Sequence, residues 1–268
     1  MERNRGESAS PTSDLVTLHV WRVSRGALPR ALTRMAWGPR RLRNTPGVRF
    51  GKLLGTGTGT GFGPTDADLT RWAALVVWAD PTRAAAFDET PVGRSWARLA
   101  EASARLDLRP LASRGQWSGV EPFGAAPLPT AASGTGASRP SSPGSAPVLA
   151  LTRARLRPRR AVTFWRAISP VAAALRDAPG LLARFGIGEA PLGWQGTVSV
   201  WRNSADLVNF AYRHPQHRAA ITATPVRRWY AEELFARFEV CRVSGDRAVL
   251  GWAAPGDDGQ VSPGEQGQ

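Results

Sequence analysis

Lysine is nearly missing from this chain: Lys52 is the only one in 268 residues. Cysteine is as rare. Cys241 stands alone, which excludes an internal disulfide and fits a reducing, cytoplasmic compartment. Histidine occurs three times, as His19, His214 and His217, so a metal or acid–base site has few imidazoles to draw on. No run approaches the roughly 20 apolar residues that cross a bilayer as a helix. Met1 to Asp14 is polar and gives no sign of a secretory leader. Also missing are a G-x-S-x-G nucleophile motif and any carboxylate pair placed by a motif. Glu232-Glu233 and Asp257-Asp258 read as solvated helix and tail charges.

Arginine is what the chain has in excess, and it carries the net charge of +14 almost alone. Such a balance favours an anionic partner: nucleic acid, a phospholipid surface or an acidic protein. A base composition that writes Arg for Lys explains it equally. The charge is dispersed, with no basic run longer than Arg157-Pro158-Arg159-Arg160, which argues against a nucleic-acid arm. Tryptophan is also abundant, 11 against 2 tyrosines. Trp78, Trp165, Trp194, Trp201 and Trp229 fall on predicted core or rim faces, as ordinary packing or as walls of a wide apolar pocket for a long hydrophobic substrate. With 42% apolar residues, the chain can bury one sizeable core or two small fused ones.

The second half reads as a diverged copy of the first. Pro46-Gly47 reappears as Pro179-Gly180, Val77-Trp78 as Val200-Trp201, and Ala104-Arg105-Leu106 as Ala236-Arg237-Phe238. The common order is what makes these short matches informative. In the first half the pattern predicts strands over Leu15–Val23, Val48–Leu54, Trp72–Trp78 and Leu106–Trp117. Helices are expected over Leu28–Leu42 and, broken near Pro91, over Thr82–Ala104. Leu18, Val20 and Trp21 are expected to face inward. In the second half strands are expected over 148–156, 181–187 and 196–201, with helices over 161–175 and from Ser204 to Ala236. A last strand over 238–243 pairs with Ala248–Trp252.

Each half is therefore a split βαβ unit, and the fold class is α+β. Two tandem ferredoxin-like (βαββαβ) repeats, 15–117 and 148–254, form a dimeric α/β-barrel-type fold within one chain. The Gly/Pro/Ser/Ala/Thr tract over 118–147 reads as a flexible linker, and residues 1–14 and 255–268 as disordered tails.

The segment Gly51-Lys52-Leu53-Leu54-Gly55-Thr56-Gly57-Thr58-Gly59-Thr60-Gly61-Phe62-Gly63 invites a phosphate-loop reading. Its details refuse it, because Lys52 precedes the glycines and the spacing is strictly alternate. A flexible connector remains, or a backbone that lies close against a flat ligand. His19 sits in the first strand as a structural or solvent-facing residue. His214-Pro215-Gln216-His217 has no third ligand for zinc, whereas one imidazole in an apolar cavity is enough for a haem. Across the duplication His217 corresponds to Arg94 and His214 to Pro91, so these histidines belong to one copy only. Cys241 reads as a buried small hydrophobe.

Several segments together resemble the spheroidene monooxygenase family, carotenoid ketolases of bacterial acyclic-carotenoid pathways. They are Gly47 to Phe62, Gly115-Gln116-Trp117-Ser118-Gly119 with Pro122-Phe123, Leu151-Thr152-Arg153-Ala154 with Phe164-Trp165, and Gly186-Ile187-Gly188-Glu189-Ala190-Pro191. Ser199-Val200-Trp201, Phe210-Ala211-Tyr212-Arg213 with His217, and Trp229 to Phe238 complete the set. The resemblance covers roughly residues 15–252, and the long linker departs from it. It implies insertion of oxygen, as a keto group, at the C-2 end of an acyclic carotenoid or similar terpenoid. The reaction uses O2, an external electron donor such as ferredoxin, and haem. By position, His217 is then the axial iron ligand with His214 as the fallback. Arg213 or Arg218 pairs with a haem propionate. Lys52, Gly55, Thr56, Gly57, Trp201 and Tyr212 border the substrate pocket. Docking on a membrane surface follows from such a substrate; nucleic acid does not. The alternatives are a cofactor-free oxygenase of the same barrel class and a non-catalytic ligand-binding or stress-response barrel.

Overall fold

In the first strand, β1 (Leu15–Val23), Val16, Leu18 and Val20 face one way and Thr17, His19 and Trp21 the other, yet all six are buried. A strand buried on both faces lies between two packed layers. Here the layers are the inside of a barrel and a cover of helices. The computed structural model describes residues 15–59, 66–124, 126–127, 146–157, 159, 175, 178–189, 194–213 and 230–252.

β1 is followed by α1 (Leu28–Arg43), β2 (Val48–Gly57), β3 (Ala67–Trp78), α2 (Pro81–Ala85), α3 (Pro91–Ala97) and β4 (Ala100–Gly115). The second half has β5 (Val148–Leu156), β6 (Leu181–Gly188), β7 (Trp194–Trp201), α4 (Ser204–Arg213) and β8 (Tyr230–Gly245). The strands lie in the order β4-β1-β3-β2 and β6-β7-β5-β8, the ferredoxin-like order in each half, and β8 returns to β4 to close the barrel. Every barrel pairing is antiparallel; only the two-residue segment Ala126–Pro127 runs parallel, beside β4.

The two seams join like to like. β2 meets its counterpart β6 through Gly55↔Gly188, Thr56↔Ile187 and Gly57↔Gly186. β4 meets its counterpart β8 from Ala104↔Gly245 to Gly115↔Leu234. A pseudo-twofold relation between copies produces this pairing, because each edge strand finds the same edge of its partner. Closure also removes the sheet edges that would invite aggregation.

The inward rows fill the interior with Leu18, Leu54, Leu75, Leu106, Leu151, Phe185, Val200 and Phe238, as an eight-stranded barrel allows. Outside the first half, Ala31 and Leu42 of α1 pack with Trp21, Trp72, Trp78, Phe87 and Trp96. Gly38 is buried there as well, and a Cβ on it would fall 2.4 Å from Leu53 Cδ1, which would have to shift. Asp80 and Thr90 cap α2 and α3 by accepting from the backbone N–H of Thr82 (2.8 Å) and Gly93 (3.0 Å). Outside the second half, Trp201 and Leu207 pack with Phe210.

Several expectations need correction. The helix expected over 82–104 stops at Ala97, and β4 begins at Ala100. Ala104, Leu106 and Leu108 alternate into the core between β1 and β8, which outweighs alanine's helix propensity. The helix expected from Ser204 to Ala236 is described only to Arg213, and residues from Tyr230 on are strand. Leu234, Ala236, Phe238 and Val240 repeat at a period of two, and pairing with β4 and β5 overrides the helix-forming Glu-Glu-Leu-Phe-Ala-Arg string. Arg247–Leu250 is a 3₁₀ turn, not a partner strand. Trp21 faces the helices, stacked on Trp96 at 5.1 Å. Of the two places expected for His19 the structure has the structural one, buried, whereas Cys241 is exposed and not buried, because it points opposite Val240 on the outer row of β8. The linker expected from Ser118 is packed against the barrel through Phe123. The helix expected over 161–175 and both tails lie outside the described residues, apart from the helical Leu175.

Candidate functional site

The pleat decides which charges enter the barrel. Lys52 lies between the inward Phe50 and Leu54 on β2. Arg153 continues the row of Leu149 and Leu151 on β5. Glu189 follows Phe185 and Ile187 just past β6, and Glu232 precedes Leu234 and Ala236 on β8. Four ionic side chains thus converge on one end of an otherwise apolar interior.

They form one network. Lys52 Nζ donates to Glu189 Oε2 (2.7 Å) and Ser118 Oγ (2.6 Å). Glu189 Oε1 also accepts from Trp117 Nε1 (2.6 Å), Arg153 Nη2 (2.9 Å) and Arg153 Nε (3.2 Å). Arg153 Nη1 reaches Glu232 Oε2, whose other oxygen accepts from Gly119 N–H at 2.8 Å. The Trp117 ring carries both cations, with the Arg153 guanidinium 5.4 Å and Lys52 Nζ 5.9 Å from its centroid. Arg153 is only 2% exposed, so its charge depends on these two carboxylates. Burial alone would raise the Glu232 carboxyl; hydrogen bonds from Arg153, Gly119 and Ser118 outweigh it and hold the group below its ordinary value.

The mouth is closed by a strap over residues 116–124. Gly115 releases it from β4 with φ +97°, where a Cβ would fall 2.1 Å from Glu233 O. Gln116 N–H then bonds Glu233 O at 2.8 Å, and Arg49 Nη2 holds Pro122 O at 2.7 Å. Trp117 and Phe123 are fully inside, each edge-on to a core ring: Phe50 at 5.6 Å and Phe238 at 4.8 Å. The opposite barrel end is built differently. There the buried Arg71 serves Gly57 O (2.7 Å) and Thr56 Oγ1 (3.1 Å) and lies 5.1 Å over Phe185, beside a groove of about 460 Å³.

Of the residues expected at a pocket, Lys52 belongs to the mouth. Gly55, Thr56 and Gly57 form the β2–β6 seam, so the close approach their small side chains permit is to the other half's strand. Thr56 also donates to Arg71 O at 2.9 Å. Trp201 is on the outer face, 1% exposed, bonded to Ser199 Oγ (3.0 Å) and 5.3 Å from Phe210 of α4. It is therefore on the other side of the sheet from Lys52. Tyr212 and Arg213 end α4. His214, His217 and Arg218 lie outside the described residues. His19 is sealed between sheet and helices, with Nε2 3.1 Å from Thr17 Oγ1 and its ring 4.0 Å from Phe87; burial, helped by Arg105, lowers its pKa well below the ordinary value. Among the described residues no cluster of three metal-ligating side chains occurs.

Sequence reasoning gives Trp117, Arg153 and Glu189 no role and reads Glu232 as a solvated charge, whereas the structure brings all four into the mouth. The signal was present for Arg153 and Glu232, since each continues an alternating apolar row.

No family model matches the chain. It is 36% identical over 222 residues to the spheroidene monooxygenase of Rhodobacter capsulatus, covering 82% of this chain and 86% of that protein. To the spheroidene monooxygenase of Rubrivivax gelatinosus it is 35% identical over 205 residues, covering 75% and 72%. To that of Cereibacter sphaeroides it is 31% identical over 204 residues, covering 75% of this chain and 58% of the longer relative. Among solved structures, an aldoxime dehydratase superposes with a TM-score of 0.58 at 14% identity, covering 87% of this chain and 83% of that one. Another, in complex with butyraldoxime, gives 0.55 at 13%, covering 85% and 80%. At such identity the likeness is one of fold.

Proposed function

The chain belongs to the spheroidene monooxygenase family, and from that premise we propose that it inserts O2-derived oxygen, as a keto group, into an acyclic carotenoid or similar terpenoid. The observation that carries this reading is the mouth. Lys52, Trp117, Arg153, Glu189 and Glu232 come from five separate segments of the family resemblance and meet within hydrogen-bond distance at one end of an apolar barrel.

The reaction balances as follows. One oxygen atom enters a C–H bond and the other leaves as water, with two electrons from an external donor such as a ferredoxin and two protons from solvent. A second insertion at the same carbon gives a geminal diol, which loses water to the ketone. The chain's own part is to bind the polyene, orient its end and exclude bulk water. In this reading Lys52 sets the polarity where the substrate's end arrives, and Gly55, Thr56 and Gly57 border the pocket along β2 toward the Arg71 end.

The cofactor in this reading is haem. His19 is held by Thr17 and covered by Phe87, which leaves His214 and His217 as the imidazoles, and imidazole suits iron. His217 would hold the iron, with His214 as the alternative, and Arg213 or Arg218 would pair with a propionate. Trp201 lies under α4, which ends at Arg213 directly before His214, so Trp201 and Tyr212 belong with that side of the sheet. A haem held by His217 or His214 would supply the iron for O2 activation.

Expression in a lycopene-producing host tests the reaction: a red-shifted pigment carrying a new conjugated carbonyl is expected, and an unchanged pigment beside folded protein refutes it. Purified protein should take up haem with a Soret band that His217→Ala abolishes or shifts. A protein that takes up no haem removes the cofactor and leaves the cofactor-free oxygenase.

A further inference from the structure

No acidic residue stands between Asp14 and Asp66, and α1 lies in the middle of that stretch. One face of α1 is buried through Ala31, Gly38 and Leu42. The opposite face carries Pro29, Leu32, Thr33, Ala36 and Trp37, an i, i+3, i+4, i+7, i+8 ridge that is exposed along its length. Leu32 is 53% and Trp37 69% exposed, the latter the most exposed large apolar side chain among the described residues.

Arginines flank this ridge. Arg25, Arg30, Arg40, Arg41 and Arg43 are exposed, and α3 adds Arg94 with Arg98 just beyond it. None of the seven forms an ion pair among the described residues. Arg34 is pinned to Ser95 O (3.0 Å) and Ser95 Oγ (2.8 Å), and it lines a shallow groove of about 230 Å³ between α1 and α3 with Trp37 and Arg41. Burial, then the nearby Arg30 and Arg98, push its guanidinium below the ordinary value, as expected where cations gather without counter-charge.

We propose that this face, α1 with the adjoining end of α3, docks the protein on an anionic phospholipid bilayer. Trp37 and Leu32 enter the headgroup region while the arginines take lipid phosphates. An apolar ridge between cationic flanks is the pattern of a helix that lies in the membrane interface, and tryptophan prefers that depth. A second copy of the chain is a poor occupant, because a twofold contact would set these arginines against themselves. For its purpose the proposal rests on the reading above, since a lipid-dissolved polyene is reached at a bilayer.

The test is flotation of the full chain with phosphatidylcholine vesicles, with and without phosphatidylglycerol. The wild type should float with the anionic vesicles, release at high salt, and ignore the neutral ones. Arg30→Glu with Arg41→Glu should lower the bound fraction about tenfold or more, and Trp37→Ser should lower it at unchanged charge, each with an unaltered melting temperature. The proposal is overturned if the wild type ignores anionic vesicles, if the folded variants bind as the wild type does, or if the face proves in sedimentation to pair two copies. Vesicle binding is read without turnover, so its failure leaves the oxygenase reading standing.

Discussion

Arg153 is the charge the mouth cannot lose. It is 2% exposed, spans Glu189 and Glu232, and lies over Trp117. Arg153→Met takes from the partly buried Glu232 its cation and leaves Glu189 with Lys52 and Trp117, and should cost about 3–5 kcal/mol. Lys52→Met should cost less, about 1–2 kcal/mol, because Glu189 keeps Arg153 and Trp117. The two urea midpoints, compared with the wild type, check this order. His19 makes a second prediction. Its pKa is depressed by burial, so the stability tied to its neutral form is present above the unfolded value of about 6.5 and is lost as pH falls below it. Stability should start to decline below about pH 6.5, and His19→Gln should flatten that part of the curve. Lys52 was legible as a candidate because it opens the glycine-threonine segment. Its partners were not, since an inward charge cannot be told from a solvated one until the strand that carries it is identified.

At the scale of elements, β8 shows how such a misreading arises. Tyr-Ala-Glu-Glu-Leu-Phe-Ala-Arg reads as helix by propensity, and under that reading Glu232 belongs in solvent. The two neighbours, β4 and β5, make it a strand, and strand parity then sends Glu232 into the barrel. Leu234, fully buried, and the adjacent Glu233 separate the two rows. Leu234→Ala should cost about 2–5 kcal/mol, and Glu233→Ala within about 0.5 kcal/mol, measured by denaturant unfolding. β1 and β5 were legible end to end because their apolar rows are long and bounded. Helix ends near Ala97 were not, because alanine-rich sequence suits either state until pairing selects one.

At the scale of the whole molecule, the internal repeat anticipated the barrel, and the pairing of β2 with β6 and of β4 with β8 is what a duplicated chain produces. The halves have since diverged in chemistry. Lys52, Trp117 and Ser118 from the first half meet Arg153, Glu189 and Glu232 from the second at one end, whereas Arg71 is held mainly by backbone and hydroxyl oxygens at the other. The ends are therefore not interchangeable, and a substrate that needs a polar mouth has one to choose. The central claim is the oxygenation itself, and isotope labelling tests it most directly. In a lycopene-producing host supplied with ¹⁸O2, the new pigment should carry ¹⁸O in its carbonyl, because both insertions draw on dioxygen. A pigment that stays unoxidised, or one whose carbonyl oxygen comes from water, would contradict the account.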